Sequence, residues 1–132
     1  MSELRCRIVT PHGLYRELHT SILNVETLDG QRGILPNHMP LVTMLKIGKM
    51  TTVENGERVE YALSGGLLYF RDNVAEILTH AIESKEEIDV ARAEEAKARS
   101  ERRIKNADSN VDLKRAEIAL ERAMNRLRVK NR

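Results

Sequence analysis

The sequence predicts an α+β protein, in which a β-sandwich of about ten strands precedes an antiparallel hairpin of two helices. The first observation is compositional: all seven glycines, all three prolines, all four histidines and all four aromatic residues precede residue 84. The second is a change in hydrophobic period, from two residues before that point to three or four residues after it. We therefore predict a β-sandwich domain over residues 1–84 and a helical hairpin over residues 85–132.

Alternation with a period of two places every second side chain of a strand on the same face. It is clearest in four segments: Leu4 to Ile8, Leu23 to Val25, Val59 to Leu63 and Val74 to Leu78. Turn signals separate such segments. Asn55-Gly56 is the strongest, because a type I′ hairpin turn needs positive φ at both central residues. Asp29-Gly30 and the segment 71–73 are weaker examples.

The second domain reads as two helices joined by a short break. Ser84 and Glu87 fit the Ser-x-x-Glu capping box, which predicts a first helix from about Lys85 to about Lys105. The capping residues between Asn106 and Asn110 mark the break, and a second helix is expected from about Val111 to Val129.

The helices offer each other a narrow apolar surface. The second helix carries an apolar stripe that includes Leu113 and Leu120. The first helix contributes mainly Ile88 and three small residues: Ala91, Ala96 and Ala98. Full burial of a leucine contributes only about 2 kcal/mol, and alanine contributes less. We therefore expect a weakly held hairpin, which is a candidate switch.

Charge and cysteine content restrict the functional class. The net charge of +2 divides into −2 for residues 1–84 and +4 for residues 85–132. Cys6 is the single cysteine, so no intramolecular disulfide can form and a reducing compartment is expected. The start of the chain does not resemble a signal peptide. The longest stretch without charged residues, Gly33 to Leu45, is shorter than the ~20 residues of a membrane span, so we expect membrane contact only through a partner.

Motifs for catalysis and metal binding are absent from the sequence. No phosphate-binding loop, nucleophile elbow or paired-cysteine zinc spacing occurs, which argues against a nucleotide hydrolase. The four histidines and the cysteine lack the local spacing of a metal site, so no metal is expected: His12, His19, His38, His80 and Cys6.

Arginines of the hairpin form the one candidate ligand site. If the chain reverses near Asp108, residues whose numbers sum to about 216 face each other, which gathers Arg92, Arg122 and Arg126 with Arg99 one or two turns away. Guanidinium groups gathered in this way suit a polyphosphate. The alternative is that they pair with neighbouring carboxylates on solvated faces, and spacing alone favours this alternative: Glu94, Glu95 and Glu121.

Four segments also carry a family resemblance. They are Gly33 to Pro40, the Ser64-Gly65-Gly66 turn, Glu121 to Leu127 and the stretch Ile88-Asp89-Val90-Ala91-Arg92-Ala93. Along its whole length the chain resembles the epsilon subunits of bacterial F-type ATP synthases. The last stretch fits the Ile/Leu-Asp-x-x-Arg-Ala motif of the members that bind ATP.

The resemblance implies a non-catalytic rotor subunit of the central stalk, peripheral to the cytoplasmic face of a bacterial plasma membrane. Its sandwich would contact the gamma subunit and the c-subunit ring. Its helices would either lie compact or extend into the alpha/beta catalytic head and block ATP hydrolysis. ATP would be a regulatory ligand that favours the compact state without being hydrolysed. The implied ATP contacts are Glu83, Ile88, Asp89, Arg92, Ala93, Arg99, Arg122 and Arg126.

A second functional class remains open from the residues alone. The basic hairpin could serve a nucleic-acid-binding module or a general adaptor. Against nucleic acid, the hairpin has no aromatic residue to stack on a base, and its 14 cationic residues are interleaved with 10 anionic ones.

Overall fold

A computed structural model describes residues 2–131 of the chain, which divides into two compact units, Met1–Ser84 and Lys85–Arg132. Among the described residues, the second unit holds two helices, α1 (Val90–Lys105) and α2 (Asn110–Lys130). The first unit holds eight strands: β1 (Leu4–Thr10), β2 (Gly13–Thr20), β3 (Leu23–Thr27), β4 (Gly30–Ile34), β5 (Leu41–Glu54), β6 (Glu57–Arg71), β7 (Val74–Leu78) and β8 (Ile82–Ser84).

The strands form one sheet in the order β2-β1-β7-β6-β5-β3-β4, with β8 also paired to β6. Only the β1–β7 pair is parallel. Strands that are not neighbours in this order nevertheless meet. Arg16 on β2 donates to the hydroxyl of Tyr61 on β6 at 3.0 Å, and Val53 on β5 donates its N–H to Thr20 at 2.8 Å. The sheet therefore folds over itself, which confirms the predicted sandwich.

The predicted alternation is confirmed in the core. Leu4, Cys6 and Ile8 are fully buried on β1, and the buried residues of β7 are Ala75 and Ile77. These side chains belong to one continuous core cluster, which includes Tyr61 and Phe70. The segments that alternate in the sequence thus supply the inner face of the sandwich.

The count of eight strands differs from the predicted ten because β5 and β6 are long. They pair along their whole lengths except at Lys46 and Gly65, where the ladder is interrupted. Gly65 and Gly66 both have positive φ at this point. Beyond it β6 changes partner, from β8 on one side to β7 on the other. Counted separately on each side of the interruption, these two strands would bring the total to ten.

Two-residue turns have the geometry that their sequences predict. Asn55 and Gly56 have φ of 53° and 80°, and they join Glu54 to Glu57 as a type I′ turn does. Asp72 and Asn73 adopt the same conformation, with φ of 53° and 63°.

A buried polar cluster joins β2, β5 and β6. The hydroxyl of Tyr61 donates to Glu54 Oε2 at 2.6 Å, and Thr52 donates to the same oxygen at 2.5 Å. Burial raises the pKa of Tyr61 to about 12, and the hydrogen bond to Glu54 adds to this shift. Burial, with the nearby charge of Glu54, also raises the pKa of the Cys6 thiol to about 12.

The helical unit corrects one predicted boundary. α1 begins at Val90, five residues later than predicted, and its N-cap is Asp89 rather than Ser84. Ser84 is buried at the end of β8 and therefore cannot start a helix. α2 begins within one residue of its predicted start, and the hydroxyl of Ser109 accepts from Asp112 N–H as its cap.

We expect Gly66→Ala to destabilise the sandwich by more than about 3 kcal/mol. A Cβ at this position would lie 2.0 Å from the carbonyl oxygen of Leu78, and Gly66 has a φ of +136°. Urea unfolding followed by tyrosine fluorescence measures this, because all three tyrosines lie in the first unit.

Gly30→Ala is the matched control, because its φ is +117° and a Cβ would meet nothing within 4 Å. It should cost only the backbone strain of about 1–2 kcal/mol. Equal losses for the two variants would contradict a role for the close contact with Leu78.

Alkaline pH should destabilise the sandwich from about pH 9 upward. The ordinary pKa of the Cys6 thiol is 9.0, and the folded protein raises it to about 12. Between these values the unfolded chain loses the proton while the folded chain keeps it, so the free energy of unfolding falls as pH rises. Urea unfolding between pH 8 and 11 should show a shallower fall for Cys6→Ala than for the unmodified chain, and an unchanged slope would contradict this account.

Candidate functional site

Asp89 marks the start of the helical unit and has a structural role of its own. Its Oδ1 accepts from the N–H of Arg92 at 3.1 Å, which satisfies an amide of the first turn that has no partner within the helix. Ile88, just before it, is buried with 3% exposure. Asp89 is thus fixed by the cap, and its second carboxylate oxygen is not used in this bond.

The antiparallel register of α1 and α2 agrees with the predicted sum of about 216. Lys130 Nζ donates to the carbonyl oxygen of Lys85 at 3.0 Å, and these numbers sum to 215. At the other end of the hairpin, Arg103 and Asp112 line one cavity and also sum to 215. Both ends of the hairpin are therefore compatible with the register that the arginine hypothesis requires.

Small side chains fill the contact between the helices. Ala93 and Ser100 are the buried residues of α1, and Ala116 and Ala123 are among the buried residues of α2. The hydroxyl of Ser100 donates to the carbonyl oxygen of Ala96 in its own helix. The expected contribution of Ala91 and Ala98 is wrong, because both are exposed. The apolar face of α1 is rotated, because the helix buries positions 93 and 100 instead.

The arginines predicted to bind a ligand divide between the two ends of the hairpin. The register places Arg126 opposite Asp89 and Arg122 opposite Ala93, so the Asp89 end also contains Arg92. Arg92 is exposed, and Arg122 and Arg126 are half-buried.

One of these arginines has a buried hydrogen-bond donor without an acceptor. Arg122 Nε is a buried nitrogen with no hydrogen-bond partner among residues 2–131. Leaving such a group unpaired is unfavourable, and a charged donor is the more costly case. An anionic ligand beside Ala93 and Asp89 could supply the missing acceptor.

Two predicted contacts lie outside this group. Arg99 lines a cavity at the turn between the helices, ten residues and about 15 Å along α1 from Asp89. Glu83 is half-buried on β8 in the first unit, where its neighbour across the ladder is Ala62. Glu83 is therefore in the first unit, whereas the other seven of the eight predicted residues, including Arg99, lie in the helical unit.

The described residues contain no group of three or more His, Cys, Asp or Glu side chains that could hold a metal ion. In the same part of the chain, neither helix is long and apolar enough to cross a membrane.

Family comparisons cover almost the whole chain. Residues 3–85 match the model of the ATP synthase delta/epsilon chain β-sandwich domain. Residues 86–131 match the model of the long α-helix domain of the same chain. The chain belongs to the ATP synthase delta/epsilon family. A curated relative, the ATP synthase epsilon chain of Ligilactobacillus salivarius strain UCC118, is 43% identical and is matched over 97% of this chain and 95% of its own length.

Solved structures share the fold of this delta/epsilon chain at lower identity. One is from Euglena gracilis mitochondrial ATP synthase, in a structure of OSCP, F1 and the c-ring. It aligns with all of this chain and 83% of its own, with a TM-score of 0.81 and 21% identity. Another, from the central stalk and c-ring of Tetrahymena thermophila mitochondrial ATP synthase, covers 98% of this chain and 97% of its own, with a TM-score of 0.67 and 16% identity.

Membership confirms the predicted resemblance and the prediction of a subunit rather than an enzyme in its own right. Two features of the site were missed in the sequence. Lys130 ties the end of α2 to Lys85, and no local pattern indicates such a contact. The capping role of Asp89 did have a signal, because aspartate is a favoured N-cap residue. The stronger Ser84-x-x-Glu87 match concealed it.

Asp89→Ala should weaken the hairpin by about 1 kcal/mol, because the cap of α1 is lost, whereas Asp89→Ser should leave its stability almost unchanged. The measurement is amide hydrogen exchange at residues 91–105 in the isolated chain. Faster exchange in the serine variant, equal to that in the alanine variant, would contradict the capping role.

Proposed function

We propose that this chain is a rotor subunit of the central stalk of an F-type ATP synthase, with the sandwich as its docking domain and the hairpin as its regulatory domain. The observation that carries the proposal is that both domains match the family models in order. The curated ATP synthase epsilon chain is also matched over 95% of its own length. The sandwich has a surface suited to docking, and the hairpin has a site suited to a regulatory anion.

An apolar stripe crosses the outer face of the sandwich. Residues that pair directly across neighbouring strands lie on the same face of a sheet. One such row of paired residues runs from β2 through β1, β7 and β6 to β5, and the residue on every strand of this row is apolar. Four of these side chains, counting one in the β3–β4 turn beside β5, are 42–63% exposed. The apolar stripe consists of Leu14, Val9, Leu78, Leu67, Met44 and, in the turn, Leu28.

Contiguous exposed apolar surface is characteristic of an interaction site. The occupant we propose for the apolar stripe is the gamma subunit, with the c-subunit ring as the second contact of the sandwich. Both belong to the stalk assembly that the family resemblance implies. The chain then lies at the periphery of the membrane, on its cytoplasmic face, through the complex alone.

Met44→Lys and Leu78→Lys should each weaken capture of the chain by gamma about tenfold or more, because each places a charge in a desolvated contact. Both side chains are exposed, so the sandwich should fold normally. Surface plasmon resonance with immobilised gamma measures the affinity. Gln31→Lys adds the same charge at an exposed position outside the stripe and should leave it unchanged. Equal affinity for the stripe variants and this control would remove the stripe as the docking surface.

The hairpin binds ATP as a regulatory ligand in this proposal. Ile88 and Ala93 offer apolar contact to the adenine, and the unused oxygen of Asp89 accepts from its amino group. The phosphates lie among Arg92, Arg122 and Arg126, with Arg122 Nε gaining an acceptor. Glu83 and Arg99, which the family resemblance also implies, are not needed for this set of contacts, because Arg99 lies about 15 Å along α1 from Asp89 and Glu83 belongs to the first unit. No metal is needed to assemble this site.

Binding at this site favours the closed hairpin. The register that brings Arg126 opposite Asp89 exists only while α1 and α2 are antiparallel. Each tenfold rise of ATP above its dissociation constant therefore adds about 1.4 kcal/mol in favour of the closed state.

The open state is the inhibitory one in this proposal. Residues 106–109 contain no glycine or proline, so nothing in their sequence prevents them from joining α1 and α2 into one helix. That helix would extend roughly 60 Å at 1.5 Å per residue, far enough to reach the alpha/beta catalytic head and obstruct ATP hydrolysis. The basic face of α2 would then meet acidic surface of the head.

The isolated chain should bind one ATP without hydrolysing it, as measured by calorimetry and phosphate release. Asp89→Ser keeps the helix cap and removes the carboxylate, and Arg122→Gln removes the buried guanidinium. Each should weaken ATP binding about tenfold or more.

Arg128→Gln is the control for this experiment, because Arg128 is exposed on α2 and outside the proposed contacts. Binding that is absent in the unmodified chain, or weakened equally by Arg128→Gln, would remove the nucleotide from the proposal.

A further inference from the structure

The cavity that Arg99 lines lies at the turn between α1 and α2. Its volume is about 580 Å³, which is within the usual size range of ligand pockets. Arginines from both helices dominate its charged lining: Arg99, Arg102, Arg103 and Arg115, with Asp108 and Asp112. We refer to this cavity as the turn cleft.

The charges of the turn cleft are unbalanced. Four arginines and two aspartates line it, which leaves a net charge of +2. Although these groups line the same cavity, none of the four arginines forms an ion pair within 4 Å with any residue in the range 2–131.

The dipoles of the two helices do not give the turn cleft its positive potential. α1 ends and α2 begins at the same place, so their macrodipoles oppose each other there. The field of the turn cleft therefore comes from its side chains. Guanidinium groups bind phosphate oxygens through two parallel hydrogen bonds, and their concave arrangement suits a compact anion with several phosphate groups.

We propose that the turn cleft binds a short polyphosphate chain, at a site separate from the nucleotide contacts at the Asp89 end. Arg102 and Arg103 at the end of α1 hold one side of the anion, and Arg115 in α2 holds the other. This binding does not depend on the proposed stalk function.

Occupancy of the turn cleft also holds the hairpin bent. If residues 106–109 became helical, Arg103 and Arg115 would be twelve residues apart on one helix, a separation of about 18 Å along its axis. A short anion could no longer contact both. The anion therefore binds the bent turn and opposes its extension, from the end of the hairpin opposite to the nucleotide.

The test is calorimetric titration of the full-length chain with sodium tripolyphosphate at a constant ionic strength of about 0.15 M, which limits non-specific attraction. We expect one anion per chain. Arg102→Gln and Arg115→Gln should each weaken binding about tenfold. Glutamine keeps a helix propensity close to that of arginine, and far-ultraviolet circular dichroism checks that each variant remains helical.

Arg128→Gln removes the same charge from an exposed position outside the turn cleft and should leave the affinity unchanged. A repeat titration with saturating ATP separates the two sources of phosphate, and we expect tripolyphosphate still to bind one-to-one. Three results would overturn the proposal: no binding, equal weakening by the control variant, or displacement of tripolyphosphate by ATP. The last would assign the phosphate chain to the nucleotide's own site.

Discussion

Small side chains are the buried residues of α1, and this limits how firmly the hairpin can close. Ala93 and Ser100 are buried on α1, and the buried residues of α2 include Ala116 and Ala123. A buried methyl group contributes only about 0.8 kcal/mol, so these residues supply little of the free energy needed to order two helices. The small side chains allow α1 and α2 to approach each other closely in the antiparallel register. They do not determine what fraction of the molecules has a closed hairpin. A ligand that contributes a few kcal/mol is then enough to decide between the closed and open states.

The charged residues act on the same balance from both ends. Closure gathers Arg92, Arg122 and Arg126 at one end and four further arginines around the turn cleft at the other. In the proposed mechanism, an anion bound among them offsets the repulsion between like charges. The buried, unpartnered Nε of Arg122 adds to this cost, and it is the most specific sign of a missing acceptor among the described residues of the helical unit. In the proposed mechanism, anions complete the closed state.

The sandwich has the opposite character. Its core is continuous, and its buried hydrogen bonds join strands that are not neighbours in the sheet, such as β2 and β6 through Arg16 and Tyr61. Gly66 approaches the backbone of Leu78 so closely that no side chain fits there. A first unit with a continuous core and a helical pair with mostly small buried side chains suit the proposed subunit, which stays attached while its second domain changes conformation.

Local chemistry made most of the fold predictable, and competition between local signals explains the errors. Period-two alternation identified the buried residues of β1 and β7, and Asn55-Gly56 identified the β5–β6 turn. The start of α1 was misplaced because Ser84 had a good capping pattern but was required in a strand, which only the tertiary pairing of β8 with β6 decides.

The candidate site was predictable to the extent that it depends on helical register. The predicted sum of about 216 agrees with the Lys130–Lys85 hydrogen bond, whose residue numbers sum to 215. The capping role of Asp89 and the grouping of Arg99 with the turn cleft were not predicted. Both depend on where α1 begins and on how far each side chain reaches, and composition and spacing do not determine these features.

The most direct test of ligand-controlled closure is the distance between α1 and α2 at the open end of the hairpin. Spin labels on cysteines replacing Glu86 and Arg128, both exposed and nearly opposite in the register, report it in a Cys6→Ser background. A continuous helix from Val90 to Arg128 would alone span about 57 Å, whereas the closed hairpin keeps the labels close. In urea at a concentration that partly opens the hairpin, we predict that ATP shifts the population to the short distance. Unchanged populations at saturating ATP would contradict the account.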